Sequence, residues 1–195
     1  DFSAFWLINE LRAALKREGR EYSFDELHSL AEEAKSLNAY IDNEYPTFNT
    51  PGGDIRVKMA EYLQQTGQAV PQTVGEWVRC IFESLALKVK YCADYLKNTL
   101  GMPLEDAFVI NGGSRNTLLV QLLSDALRLP IHAGMPYATL AGNLLTQFYA
   151  DGKVSSVEEM REVAGRSFQM KEYEPQPGRD WDAALQAAVE KNVCH

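Results

Sequence analysis

The chemistry-bearing part of this sequence lies in residues 107–127, "AFVINGGSRNTLLVQLLSDAL". An apolar run stops at Gly112 and Gly113, passes through Ser114, Arg115 and Asn116, and re-enters an apolar pattern with helical spacing. Two adjacent glycines after a strand strip the backbone of side chains at a sheet edge, where open α/β sheets receive ligands. The helix that follows offers unpaired N–H groups and a positive dipole end to a phosphate-bearing ligand. Ser114 and Asn116 can hydrogen-bond a ribose or base, or cap the helix. The competing reading is a plain strand-to-helix turn that needs a positive φ. "GGSRN" is neither a dinucleotide fingerprint nor a Walker loop, so both readings stand on the motif alone.

Other titratable residues are better explained as structure. Asp125 on its helix is expected to be a hydrogen-bond partner. His132, alone in an apolar strand, lacks the second His or Cys of a metal site. His28 and His195 read as surface residues. Ser84 sits mid-helix without flanking glycines, unlike a nucleophile elbow. Glu83, Asp94 and Glu105 are too scattered for a paired-carboxylate hydrolase.

The elements around the turn follow from periodicity and caps. Phe5, Leu7, Ile8, Leu11 and Leu15 recur at helical spacing up to Gly19. Ser23 with Glu26 is a capping box opening a second helix. "YIDNEYPTFNTPGGD" reads as an irregular surface segment with exposed aromatics; Tyr40, Tyr45 and Phe48 either line a partner surface or pin the segment to helices. A short helix follows, ending at Gly67. Thr73 starts the longest helix, with Trp77, Ile81, Leu85 and Val89 as its apolar row and Gly101 as its stop. "DAFVI" reads as a short strand buried on both faces, and "PIHAG" as a second. Strand–helix–strand–helix alternation implies a parallel pair. Two terminal helices flank the linker "YEPQPG".

The bulk composition narrows the class. The chain has 195 residues, 46% hydrophobic and 24% charged, enough for a real core. Its net charge of -8 argues against a nucleic-acid backbone as partner. No run of apolar residues is long enough to span a membrane. Cys80, Cys92 and Cys194 form an odd set without metal spacing, consistent with reduced thiols and a cytoplasmic setting. Two short strands are too few for this many helices. The expectation is therefore the C-terminal part of a larger protein, with further strands upstream.

The stretch "NGGSRNTLLVQLLSDALRLPIHAGMPYATLAGN" resembles the C-terminal adenosine-binding region of the FGGY family of carbohydrate kinases. The family pattern is a GGGS-x-N turn, a helix with Gln and Ala-Asp, a strand, and a G-P-x-E-A-x-x-x-G-N segment. "VRCIFESLALKVKYCADYL" resembles its R-C-I-x-E-S-L-A-L helix. "FWLINE" resembles a G-L-W-L-L-Q helix, and "YIDNEYPTFNTPGGD" a segment with Ile-Asp followed by Phe-x-Asn-Pro. The likeness runs from about Phe5 to Pro175.

The resemblance implies a helix-rich α/β fold, part of an actin-like (ribonuclease-H-like) ATPase domain with few parallel strands. Residues 1–175 would form the nucleotide-side domain, incomplete at its N-terminal edge, and 176–195 a helical tail. Such enzymes use ATP with Mg²⁺ and pass the γ-phosphoryl group to a sugar hydroxyl. The nucleotide-binding positions implied are Gly112, Gly113, Asn116 and Asn9, the last where a Gln stands in part of the family. The sugar implied is L-rhamnulose, with fuculose or xylulose as alternatives, bound through an upstream domain that would also hold the catalytic carboxylate. The chain alone would then be inactive and prone to self-association. Asn111 stands where the family has its first glycine, and Tyr137 where it has Glu. These departures favour the rival reading, a divergent non-catalytic interaction module.

Overall fold

The computed structural model describes residues 4–50 and 52–194. In chain order the elements are α1 (Ala4–Arg17), α2 (Phe24–Glu33), α3 (Ile55–Gln65), α4 (Val74–Leu100), β1 (Ala107–Val109), α5 (Thr117–Leu127), β2 (Ile131–Gly134), α6 (Ala138–Ala150), α7 (Val157–Ser167), β3 (Met170–Tyr173) and α8 (Trp181–Glu190). They form two compact units: one from the residues up to Pro103 together with those from Pro177 onward, the other spanning Leu104–Gln176. The segment from Pro177 onward, expected as a tail, carries α8, which packs on α4.

The first unit is helical, and its helices start where the sequence offers caps. Ser23 Oγ accepts from Glu26 N–H at 3.1 Å while the Glu26 carboxylate accepts from Ser23 N–H at 2.7 Å. Thr73 and Glu76 repeat this reciprocal pair at the start of α4. These bonds satisfy donors that a helix N-terminus leaves open. Gly101 ends α4 with φ of 65°, a left-handed stop that costs glycine little. Leu7, Ile8, Leu11 and Leu15 of α1 are buried, as are Trp77, Ile81 and Leu85 of α4. Phe5 departs from the expected row: it is exposed, with its ring 6.4 Å from that of Phe82.

In the segment after α2 the aromatics are not exposed at a partner surface; they pin it to the helices, the second of the two roles open to them. Tyr40 and Phe48 are buried, and Tyr45 packs against Phe48 and Tyr62 at 5.3 and 4.9 Å between ring centroids. Residues 39–43 are buried without a strand partner. Side chains satisfy their backbone instead: Gln68 exchanges two hydrogen bonds with Tyr40, and Ser84 Oγ accepts from Ile41 N–H at 2.9 Å. Ser84 is thus a structural acceptor, as its mid-helix place implies. A buried backbone needs such partners, so the segment is irregular yet fixed.

The second unit is built on a three-stranded sheet in the order β1-β2-β3. β1 and β2 are parallel, with Ala107 opposite Ile131 and Val109 opposite Ala133. β3 runs antiparallel to β2, with Gly134 opposite Met170. A Cβ on Gly134 would come within 2.7 Å of Met170 Sδ and 2.8 Å of Gln169 O, so only glycine permits this approach. β1 is not buried on both faces as expected: it is an edge strand, and Phe108 is 63% exposed. β3 falls where the sequence suggested only helix and linker.

Candidate functional site

The glycine turn joins the C-terminal end of β1 to α5. Residues Asn111–Arg115 form a short 3-10 turn, and Asn116 caps α5, its Oδ1 accepting from Leu119 N–H at 2.9 Å. Asn116 N–H in turn donates to Gly113 O at 3.1 Å. Asn116 therefore serves as the cap, one of the two roles open to it. Ser114 Oγ donates to Asn111 O at 2.7 Å, which spends this hydroxyl proton within the turn.

The positive φ of the turn belongs to Asn111, at 59°, rather than to the glycine after it. Asparagine tolerates the left-handed region better than other non-glycine residues because its side chain bonds locally. Here Asn111 Oδ1 accepts from Thr139 N–H at 3.3 Å and faces Thr139 Oγ at 3.4 Å. Asn111 N–H also donates to Met135 O at 3.1 Å. The turn is thereby strapped to the segment 135–139 that follows β2.

Gly112 is exposed, has no positive φ, and a Cβ placed on it would meet nothing within 4 Å. Neither backbone conformation nor neighbouring atoms of this chain require glycine there. The missing side chain leaves open backbone at the carboxyl edge of two parallel strands, the place where a ligand's phosphate or ribose can approach main-chain N–H groups.

The structure brings Gly112, Gly113 and Asn116 together in this one turn. Asn9 lies in the other unit, on α1, and is exposed. Sequence reasoning missed Arg115 as a neighbour of the site: its Nη2 donates to Tyr137 Oη at 3.1 Å, and the guanidinium lies 5.5 Å from the Tyr137 ring centroid. Thr139 was also missed. Both belong to local spacing across two strand ends, which no periodicity exposes.

The residues set aside earlier behave structurally. Asp125 Oδ1 accepts from Gln121 Nε2 at 2.7 Å and from Gln176 N–H at 2.8 Å, tying the end of the unit to α5. His132 Nε2 is 3.5 Å from Asp106 Oδ2, and its ring stacks on Phe108 at 5.0 Å. His28 corrects the surface reading, being half-buried on α2 with Nε2 3.3 Å from Glu32. His195 lies outside the described residues. Among the described residues no three His, Cys, Asp or Glu side chains cluster so as to hold a metal ion.

Comparison with solved structures identifies the architecture. Xylulose kinase from Rhodospirillum rubrum superposes with a TM-score of 0.66 over 95% of this chain and 37% of that one, at 17% identity. Plasmodium falciparum glycerol kinase, crystallised with ADP, gives 0.66 over 98% and 37%, at 15% identity. The fold is the helix-rich α/β actin-like fold of the C-terminal domains of these kinases.

The family model for the C-terminal domain of the FGGY family of carbohydrate kinases matches residues 2–150, and the chain belongs to that family. Among curated proteins it is similar to the rhamnulokinase of Bacteroides thetaiotaomicron, 36% identical over 179 residues, and to that of Bacillus subtilis, 32% identical over 170. Those matches cover 92% and 87% of this chain, and 36% and 34% of the relatives. The chain thus spans about a third of the length of the curated relatives it matches.

Proposed function

We propose that this chain is the adenosine side of the nucleotide cleft of an ATP-dependent sugar kinase that converts L-rhamnulose and ATP into L-rhamnulose 1-phosphate and ADP. The observation that carries the reading is Gly112, a glycine with ordinary backbone geometry and empty space where its side chain would be. Gly113, Asn116 and Asn9 complete the proposed nucleotide-binding set. The rhamnulokinase relatives support L-rhamnulose over fuculose or xylulose. Residues 1–175 are assigned to the nucleotide-side domain, and the segment expected as a tail contributes α8 to its helical unit. A cytoplasmic setting belongs to the same reading. Among the described residues no helix is long and apolar enough to cross a membrane.

In this scheme the chain positions the nucleotide while the catalytic carboxylate and sugar pocket belong to the remainder of the enzyme. Catalysis of this type rests on alignment and charge neutralisation. Mg²⁺ would accompany the phosphates of ATP and neutralise their charge. The chain by itself is expected to be inactive toward sugars. Leu140 and Leu144, exposed on α6, are the surface through which isolated copies would associate.

Calorimetric titration of ADP into the chain tests the reading, with Gly112→Val as its control. Because a side chain at 112 meets no protein atom, the variant should fold normally while weakening ADP at least about tenfold. Equal ADP affinity in both proteins would reduce the turn to a turn. Absence of binding at millimolar nucleotide would favour a non-catalytic interaction module, for which the exposed apolar face of α6 is the supporting observation.

A further inference from the structure

Tyr137 is the N-cap residue of α6, yet its side chain makes no cap hydrogen bond. Tyr137 is 58% exposed, one of several exposed aromatics of this chain. It is nevertheless held in place. Arg115 Nη2 donates to its hydroxyl at 3.1 Å, and the same guanidinium lies 5.5 Å from the ring centroid. Arg115 is the last residue of the glycine turn, and Asn111, the first, is bonded to Met135 and Thr139 on either side of Tyr137. An aromatic ring and a planar cation are thus fixed beside open glycine backbone.

That combination has a definite chemistry. Flat π-systems are recognised by stacking on aromatic faces and guanidinium planes, and such stacking tolerates any base. Exposed Leu140 and Leu144, farther along α6, are apolar alone. Tyr137 differs from them in being anchored through its polar tip, which orients the ring while it stays exposed. Resting on the nucleotide reading above, we propose that Tyr137, oriented by Arg115, is a stacking platform for the nucleobase of the ligand whose phosphates or ribose approach Gly112. Tyr137 would touch the base, and Arg115 is its positioning residue.

The test compares ADP, adenosine and inorganic pyrophosphate on the chain and on Tyr137→Ala, Tyr137→Trp and Arg115→Ala. A platform predicts that Tyr137→Ala weakens ADP and adenosine by about tenfold, leaves pyrophosphate unchanged, and that Tyr137→Trp binds ADP as tightly or better. Arg115→Ala should give a smaller loss for ADP. In NMR spectra the adenine H2 and H8 resonances should shift upfield on binding the parent chain, and this ring-current shift should vanish with Tyr137→Ala. If ADP binds the parent and Tyr137→Ala equally, without the upfield shift, the platform is wrong and the nucleotide reading survives. If ADP does not bind the parent, both fall.

Discussion

Glu83 and Arg179 meet at 3.1 Å inside the helical unit, joining the middle of α4 to the residue two before α8. The Glu83 side chain is 2% exposed and also receives Arg79 Nε at 2.8 Å and the Ser36 hydroxyl at 2.7 Å. Arg179 spreads further, donating to Ser36 and Asn38 and lying over the rings of Tyr40 and Trp181. Arg79 continues the network by donating to the carbonyls of Ala31 and Ala34 at the end of α2. One buried carboxylate therefore organises three parts of the chain.

Removing Arg179 leaves that carboxylate with one cation in place of two. Arg179→Ala should destabilise the protein by about 2 kcal/mol, somewhat below the cost of leaving a buried charge wholly unpaired. Arg179→Lys, which keeps the charge but loses the planar fork, should fall between the two. Urea unfolding monitored by circular dichroism measures both, and two midpoints equal to the parent's would show the network to be passive.

Gly75 in the first turn of α4 offers a sharper backbone test. Alanine in a helix is ordinarily about 1 kcal/mol better than glycine. Here a Cβ would overlap the carbonyl oxygen of Leu30, where α4 crosses α2. Gly75→Ala should therefore destabilise by about 2 kcal/mol, the scale of overpacking. A higher melting temperature in the variant would contradict this close crossing.

Two buried tyrosines contribute to the alkaline limit. Burial pushes the hydroxyls of Tyr40 and Tyr62 from 10.0 up to about 12. Unfolded, they ionise from about pH 10; folded, they hold their protons longer, so the unfolded state binds fewer protons in that interval. Their contribution to stability is complete below pH 10 and is lost as the pH rises toward 12. Tyrosinate absorbance should rise in two stages, the second coinciding with loss of helical signal.

The thiols should separate by burial. Cys80 is driven up to about 12 and Cys194 to about 11, in both cases chiefly by burial. Cys92 is only half-buried. A thiol reagent at neutral pH should label Cys92 in the native protein and the other two only after denaturant, a pattern that mass spectrometry of digests resolves. Simultaneous labelling of all three would mean that the α4 surface is not packed as described.

Local signals made much of this architecture readable from sequence. Ser23 and Thr73 open their helices, Gly101 closes α4, and the parallel pairing of "DAFVI" with "PIHAG" follows from alternation. β3 escaped because Lys171 and Glu172 are exposed in a strand of four residues, too short for a periodic pattern. For Tyr40 and Phe48 a partner surface and pinning to helices both stayed open because loop aromatics carry no periodicity, and their burial depends on Gln68, Ser84 and Tyr62 elsewhere. At the candidate site the glycine pair was visible, but the residue bearing the positive φ was not: that depends on Thr139 and Met135 arriving from the next strand end. The Glu83–Arg179 pair is likewise a product of the fold, with no local trace.

The division of the chain also sets an order for its synthesis. The helical unit is discontinuous, begun before Pro103 and finished only after Pro177. Buried Trp181 and Ala188 of α8, and Lys90 paired with Asp182 at 2.7 Å, belong to its last contribution. On the ribosome the whole sheet-bearing unit emerges before α4 receives α8. The helices that precede Pro103 must therefore wait, part of their apolar surface uncovered, for α8.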